Sequence, residues 1–293
     1  MDGILNINKP WGETSFSIVA MVRQLTGERR VGHAGTLDPV ASGVLPVCLG
    51  QGTRVIEFLV DASKVYKAQI ELGLATDTYD ASGKTIQQGD PSWISRGQLE
   101  SALASFCGLI SQVPPMYSAL KYRGQRLYRL ARAGITVDRE SRPAKIYRLE
   151  LIGFKSPLVT VEVECGKGTY IRSLAHDLGQ LLGCGAHLKS LVRTSYGPFN
   201  IRDAVSLSQL GNAFGGSSWQ HLVYPIDIVL LTLEAVVVND DQERAIRNGG
   251  PVVLGNSYDF EGRCCAYSQD GCFLAVLRFS PESGQWQPEK VFV

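Results

Sequence analysis

The stretch YKAQIELGL, residues 66–74, alternates with a period of two, with Tyr66, Ala68, Ile70, Leu72 and Leu74 on one face and Lys67, Gln69 and Glu71 on the other. An extended strand with one covered face fits this pattern, and a one-residue slip would turn every apolar side chain to water. Two further strand patterns, IYRLELIGF (146–154) and LVTVEVEC (158–165), are separated by Ser156 and Pro157 and read as a hairpin. Such strands need helices to cover them, and the chain supplies amphipathic candidates. Thr14 or Ser15 can cap a helix carrying Ile18, Val22 and Leu25, with Gly27 as its stop. Ser95 and Gln98 form a capping-box pattern ahead of Leu99, Ala102, Leu103 and Phe106, with Gly108 ending that helix. GKGTYIRSLAHDLGQLLG (166–183) turns from strand to helix, with Ile171, Leu174, Leu178 and Leu181 along one side. These elements follow no regular βαβ rhythm. The expected class is therefore α+β, a mixed and largely antiparallel sheet with flanking helices.

From about residue 229 the pattern changes. A capped helix in NDDQERAIRNGG, then RCCAYS, an Asp270-Gly271 turn and CFLAVLRF predict a small β-rich module. GNAFGGSSWQ (211–220) reads as a loop just ahead of it, so the expected domains are 1–228 and 229–293. The opening MDGILNINKPWGETS offers no apolar leader, and IDIVLLTLEAVVV (226–238) carries Asp227 and Glu234 and is too short to span a bilayer. A cytoplasmic location without membrane contact is the expectation. The seven cysteines include no CxxC pair, which favours reduced, buried thiols. Cys184 and His187 are the nearest approach to a metal box, and they lack a second pair of ligands, so no metal is expected.

Net charge is only +1, but it is unevenly spread. Between Lys121 and Arg148 lie nine basic residues (Lys121, Arg123, Arg126, Arg129, Arg132, Arg139, Arg142, Lys145, Arg148) against two acids, Asp138 and Glu140. A local field of that sign can attract a polyanion, and the interleaved Tyr117, Tyr122, Tyr128 and Tyr147 add stacking surface suited to RNA. Lys121, Arg123, Arg126, Arg129 and Arg132 are the candidate contacts to an RNA backbone. RLYRLARAG within this segment reads as helix, broken at Pro143.

One carboxylate stands apart. GHAGTLDPVASG (32–43) sets Asp38 among three glycines, a proline and His33. Pro39 biases Asp38 away from the helical region, while Gly35 and Gly43 permit tight turns on either side. A carboxylate so placed can be a nucleophile, a general base, a metal ligand or a helix cap. A two-carboxylate glycosidase would need a partner such as Asp77 or Asp80, and no Walker lysine or GxGxxG marks a phosphate site.

Five blocks in order, GILNINKPWGETS, VGHAGTLDPVASGVLPVCLGQGTR, VYKAQIELGLATDTYDASG, QVPPMYSALKYRGQRLYRLARAG and GKGTYIRSLAHDLGQLLGCGAHLKSLVRT, resemble the bacterial tRNA pseudouridine synthase B family. The resemblance covers about residues 2–203, and beyond residue 229 the chain is similar to a PUA-like RNA-binding domain. It departs from the family pattern at Ala34, where threonine is common, and in a shorter C-terminal region. The resemblance implies a pseudouridine synthase fold and isomerisation of a T-loop uridine, position 55 in tRNA numbering, without a cofactor. It makes Asp38 the catalytic carboxylate and Arg172 its partner. Tyr66 would lie against the target base, and Tyr170 would complete the pocket. Leu191 would line its apolar wall, Asp80 would help organise the charges, and His33 would fill the space left by the flipped base. The implied partner is the T arm of tRNA, bound by a monomer. A non-catalytic RNA-binding or RNA-folding protein is the competing reading.

Overall fold

In the computed structural model, which describes residues 1–215, 219–254 and 262–292, strand β1 (Gly3–Lys9) leads into helix α1 (Ser15–Thr26). Thr14 caps α1 through a full capping box with Ser17, and Gly27 closes it at φ 67°. Strands β2 (Val31–His33) and β3 (Ala41–Leu49), the short helix α2 (Ile56–Asp61) and β4 (Lys64–Leu72) follow. A two-stranded ribbon, β5 (Leu74–Thr76) and β6 (Thr85–Gln88), precedes α3 (Arg96–Ala104) and β7 (Gly108–Gln112). A small hairpin, β8 (Lys121–Tyr122) and β9 (Gln125–Arg126), runs into α4 (Leu127–Arg132). Next come β10 (Arg142–Lys155) and β11 (Leu158–Cys165), which form the hairpin the sequence predicts, and α5 (Ile171–Leu181). β12 (Ala186–Tyr196), β13 (Phe199–Asn200), α6 (Leu207–Gly215) and β14 (Val223–Tyr224) complete this part.

The main sheet runs β14-β1-β3-β12-β4-β11-β10-β7, with β2 paired to β3 and β13 to β12. Among its described pairings only β3–β12 is parallel. Alternation fixes the register: Val163, Val161 and Val159 of β11 oppose Tyr66, Ala68 and Ile70 of β4, so the two apolar faces coincide. Helices α1, α3 and α5 cover that face, and their buried residues join one apolar cluster with Leu5, Ile7, Ala68, Ile70, Val161 and Leu188. α5 lies directly on β12, since a Cβ at Gly179 would collide with the backbone of Ala186. That close packing places the first turn of α5, with Arg172, over the sheet.

Three local expectations change. GNAFGGSSWQ is not all loop: α6 extends through Gly215 because Leu207, Leu210 and Phe214 share a face that packs on the main cluster, while residues 216–218 lie outside the described residues. Gly108 opens β7 after α3 has already ended at Ala104. Pro143 lies within β10 opposite Ser111, and α4 stops at Arg132 without its help.

The C-terminal β-rich domain contains β15 (Glu234–Val237), α7 (Asp240–Arg247), β16 (Arg263–Tyr267), β17 (Phe273–Ser280) and β18 (Gln285–Val291). Its strands form a separate four-stranded sheet around Val236, Ile246, Leu274, Leu277 and Trp286. A second cluster joins it to the main sheet, with Cys265 and Val276 against Ile4, Val44, Leu59 and Tyr196. All seven cysteines are free, and five are buried as expected, whereas Cys107 and Cys272 are exposed.

Candidate active site

The loop between β2 and β3 is held from below. Ser15 Oγ donates to the Leu37 carbonyl (3.0 Å) and accepts from the Leu37 amide (2.8 Å), which locks the residue before Asp38. The Ala41 amide bonds the Asp38 carbonyl at 3.0 Å, and the Gly12 amide bonds the Pro39 carbonyl at 2.8 Å. Gly35, at φ 80°, lies against the Tyr196 ring, and a side chain there would be strained. Asp38 is thus fixed in backbone while its carboxylate stays 37% exposed.

That carboxylate meets Arg172, whose Nη2 lies 2.7 Å from Asp38 Oδ2 while Nη1 lies 3.6 Å from Asp80 Oδ2. Arg172 is only 5% exposed and also donates to the Tyr117 carbonyl at 2.9 Å. A guanidinium buried so deeply needs this planar set of acceptors, which an ammonium could not match. Asp80 is itself engaged: its Oδ1 accepts from Thr78 Oγ1 (2.7 Å), the Ser82 amide (3.0 Å) and Ser82 Oγ (2.5 Å). The two carboxylates therefore differ in kind, Asp80 a buried strut and Asp38 an open end.

Behind them, Tyr66 of β4 pairs in register with Arg193 of β12, and Leu191 pairs with both Ala68 of β4 and Ala41 of β3. Burial pushes the Tyr66 phenol up, with Arg193 pulling it the other way. The Tyr170 phenol is likewise raised by burial, and Arg172 opposes the shift. The Tyr170 backbone is clamped by Gln112, which accepts from its amide at 3.0 Å and donates to its carbonyl at 3.3 Å. His33 is half-buried, and burial followed by the charge of Arg193 lowers its pKa, so the imidazole is neutral near pH 7. Its Nδ1 is buried without a hydrogen-bond partner among the described residues.

The comparisons with known proteins agree with one another. The family described as "TruB family pseudouridylate synthase (N terminal domain)" matches residues 23–171, and "tRNA pseudouridylate synthase B C-terminal domain" matches residues 172–237. The chain is 46% identical over its whole length to "tRNA pseudouridine synthase B" of Dehalococcoides mccartyi, covering 97% of that protein. It is 42% identical to the Clostridium perfringens protein of the same name, over 94% of each chain. The chain belongs to the TruB family. Among solved structures, "Crystal Structure of a Cbf5-Nop10-Gar1 Complex" superposes with a TM-score of 0.78 at 27% identity, covering 99% of this chain and 85% of that one. The fold is that of the pseudouridine synthases, and the activity is isomerisation.

Against this TruB-family site, sequence reasoning missed two basic residues. Lys9 is fully buried, its Nζ donating to the carbonyls of Pro10 (2.9 Å) and Glu13 (2.6 Å). Burial pushes its pKa down to about 8 despite the opposing charges of Asp38 and Glu13. The signal is the period of β1, which puts Lys9 on the inward face with Leu5 and Ile7. Arg193 is 1% exposed, with Nε donating to the Val44 carbonyl at 2.6 Å and its guanidinium 4.9 Å from the Tyr196 ring centroid. It stands two residues beyond Leu191 on the same strand, and the same rule would have found it.

The five candidate backbone contacts Lys121, Arg123, Arg126, Arg129 and Arg132 lie on the β8–β9 hairpin and α4, and all five are exposed. Arg123 sits at φ 48° in the hairpin turn with its guanidinium 5.4 Å from the Tyr122 ring centroid, and Arg132 lies 5.5 Å from that of Tyr128. Arg148 departs from the basic set: it is paired with Glu150 (2.8 Å) and Glu162 (2.6 Å) and lies 3.8 Å from Glu164. Cys184 and His187 have unrelated partners, the carbonyls of Gly185 and Leu74.

Proposed function

We propose that the chain isomerises the uridine at position 55 in the T loop of tRNA to pseudouridine, with Asp38 as the catalytic carboxylate. The observation that carries this reading is the Asp38–Arg172 pair, one open carboxylate aimed by a buried guanidinium beside Tyr66 and Leu191 on adjacent strands. The reaction breaks the N1–C1′ bond, turns the uracil and forms a C5–C1′ bond. C5 loses a proton and N1 gains one, so substrate and product are isomers and no oxidant, reductant or cofactor enters the balance. Asp38 opens the glycosidic linkage, Arg172 aims it, and Asp80 holds Arg172.

A uridine folded into an RNA loop must leave the stack to be reached, at a cost of a few kcal/mol. Neutral His33 takes the vacated place, while Tyr66, Tyr170 and Leu191 confine the base without fixing one orientation during its turn. Lys121, Arg123, Arg126, Arg129 and Arg132 take the phosphates. Residues 1–228 carry the chemistry, and residues 229–293 act as a small PUA-like RNA-binding domain. The protein works as a cytoplasmic monomer.

The test is a T-arm RNA tritiated at C5 of the uridine, incubated with the parent protein and with Asp38→Asn. The parent should release label and the variant should not. Binding without release in the parent would mean a non-catalytic RNA-binding protein. Free uracil would mean a hydrolase.

A further inference from the structure

Trp11 is 73% exposed and Phe16 72%, more than any other described aromatic side chain, and they fall within one six-residue stretch. Large apolar surface left open in this way marks a contact surface when it is concentrated rather than scattered. Here the stretch is joined to the catalytic loop. Gly12 bonds Pro39, and Ser15 bonds Leu37 in both directions, so the residues on either side of Asp38 are tied to the segment that carries both rings. Both rings stand in solvent although the apolar cluster under α1 lies one helix face away.

The segment is also built to hold its shape. The buried Lys9 ammonium clamps the carbonyls of Pro10 and Glu13 from inside, which fixes the turn that carries Trp11. Glu13 accepts from Ser17 Oγ at 2.7 Å, and Thr14 closes the capping box of α1, in whose first turn Phe16 lies. A rigid platform presenting two aromatic faces beside a site for an unstacked nucleotide has the chemistry of single-stranded RNA recognition. Ring stacking accepts any base and requires little ordering when the ring is already placed.

We propose that Trp11 and Phe16 form a base-stacking subsite, each ring receiving an unpaired nucleobase of the substrate RNA next to the one turned into the pocket. This rests on the tRNA reading above. It assigns the first turn after β1 to substrate binding, separately from the basic hairpin, which engages phosphates.

The test is the binding of a T-arm stem-loop RNA, with every protein carrying Asp38→Asn so that no substrate is consumed. Trp11→Ala and Phe16→Ala should each raise Kd about tenfold. Plots of log Kd against log salt should stay parallel to the parent's, because stacking releases no counterions. RNA should quench tryptophan emission in the parent. Trp11→Phe, which keeps a ring, should lose that quench and retain most of the affinity. An unchanged Kd in the double alanine variant, meaning that the patch serves some other partner, would overturn the proposal. So would a weaker affinity accompanied by a shallower salt slope, which would signal phosphates no longer neutralised. The isomerase reading fails by a different result, absence of label release from the protein with Asp38 intact.

Discussion

Two regions hold the charges to which the proposed function assigns a role, and they are built on opposite principles. Around Arg172 every charge is buried or half-buried and answered by a counter-charge or a carbonyl at 2.6–3.6 Å. Along the β8–β9 hairpin and α4, five cations face solvent, and the side chain of Arg126 alone among them hydrogen-bonds to a described residue, through the Ala119 carbonyl. The first arrangement holds each charge in a fixed geometry, where removing one member leaves its partner buried and unanswered. The second makes a field in which each member is replaceable. The same substitution, basic to neutral, should therefore act on stability and chemistry in one region and only on encounter with RNA in the other.

The strongest break in that contrast is Arg172→Met. It leaves Asp80 buried without its cation and Asp38 without its aim. Unfolding stability should fall by about 3–5 kcal/mol, the usual result of stranding one half of a buried pair. Label release should drop at least about 10²–10³-fold. Asp38→Asn should abolish release yet change stability by less than about 1 kcal/mol, because that carboxylate already faces water. Urea melts of the two variants decide the point. Equal falls in stability would mean that Arg172 is no more embedded than its partner.

Lys9 sharpens the comparison through pH. Its pKa falls from the ordinary 10.5 to about 8 in the fold, so between these values the unfolded chain binds more protons and stability rises with pH. The burden of the buried charge is fully present below pH 8 and is relieved toward 10.5. Relative to Lys9→Met, the parent should gain up to about 3 kcal/mol over that window. Parallel stability curves for the two proteins would show that Lys9 does not titrate in this way. Comparison with the variant is needed because buried Cys48 and Cys165, both with raised pKa, lose stability over the same range.

Much of the first region is legible in the sequence, and what is not is non-local. β4, β11 and α1 follow from periods of two and 3.6 and from the Thr14 cap, all contained in a dozen residues. The meeting of Asp38 and Arg172 has no local signature. It is legible only through the resemblance of GTLDP and GTYIR to a known family. Lys9 shows the reverse failure, since the period is visible but the residue type argues for solvent. α6 reads as loop because Gly211, Gly215 and the serines after it outweigh a stripe that starts at Leu207, before the loop-like letters begin.

In the exposed region, Arg126→Gln with Arg129→Gln should raise Kd for T-arm RNA about tenfold at physiological salt. The double change should lower the salt slope by up to about two, one for each phosphate no longer neutralised. Stability should stay within about 0.5 kcal/mol of the parent. An unchanged slope would move the RNA off the hairpin and onto another surface.

The smallest effect is expected at Arg148, which has the composition of the second region and the wiring of the first. It lies on β10 opposite Glu164 of β11, next to a Glu150–Glu162 pair, so three carboxylates surround one guanidinium. Its charge is compensated before any RNA arrives. Arg148→Gln should therefore leave the salt slope of RNA binding where it was, unlike the changes at Arg126 and Arg129. Its cost lies in the fold instead, where Glu150 and Glu162 face each other across the strands with nothing to separate them. At 41% exposure of the arginine side chain that cost should be less than about 1 kcal/mol and should shrink in high salt. A fall in slope of about one, equal to that of a single hairpin arginine, would place Arg148 among the RNA-binding residues and erase the boundary between the two regions on that strand.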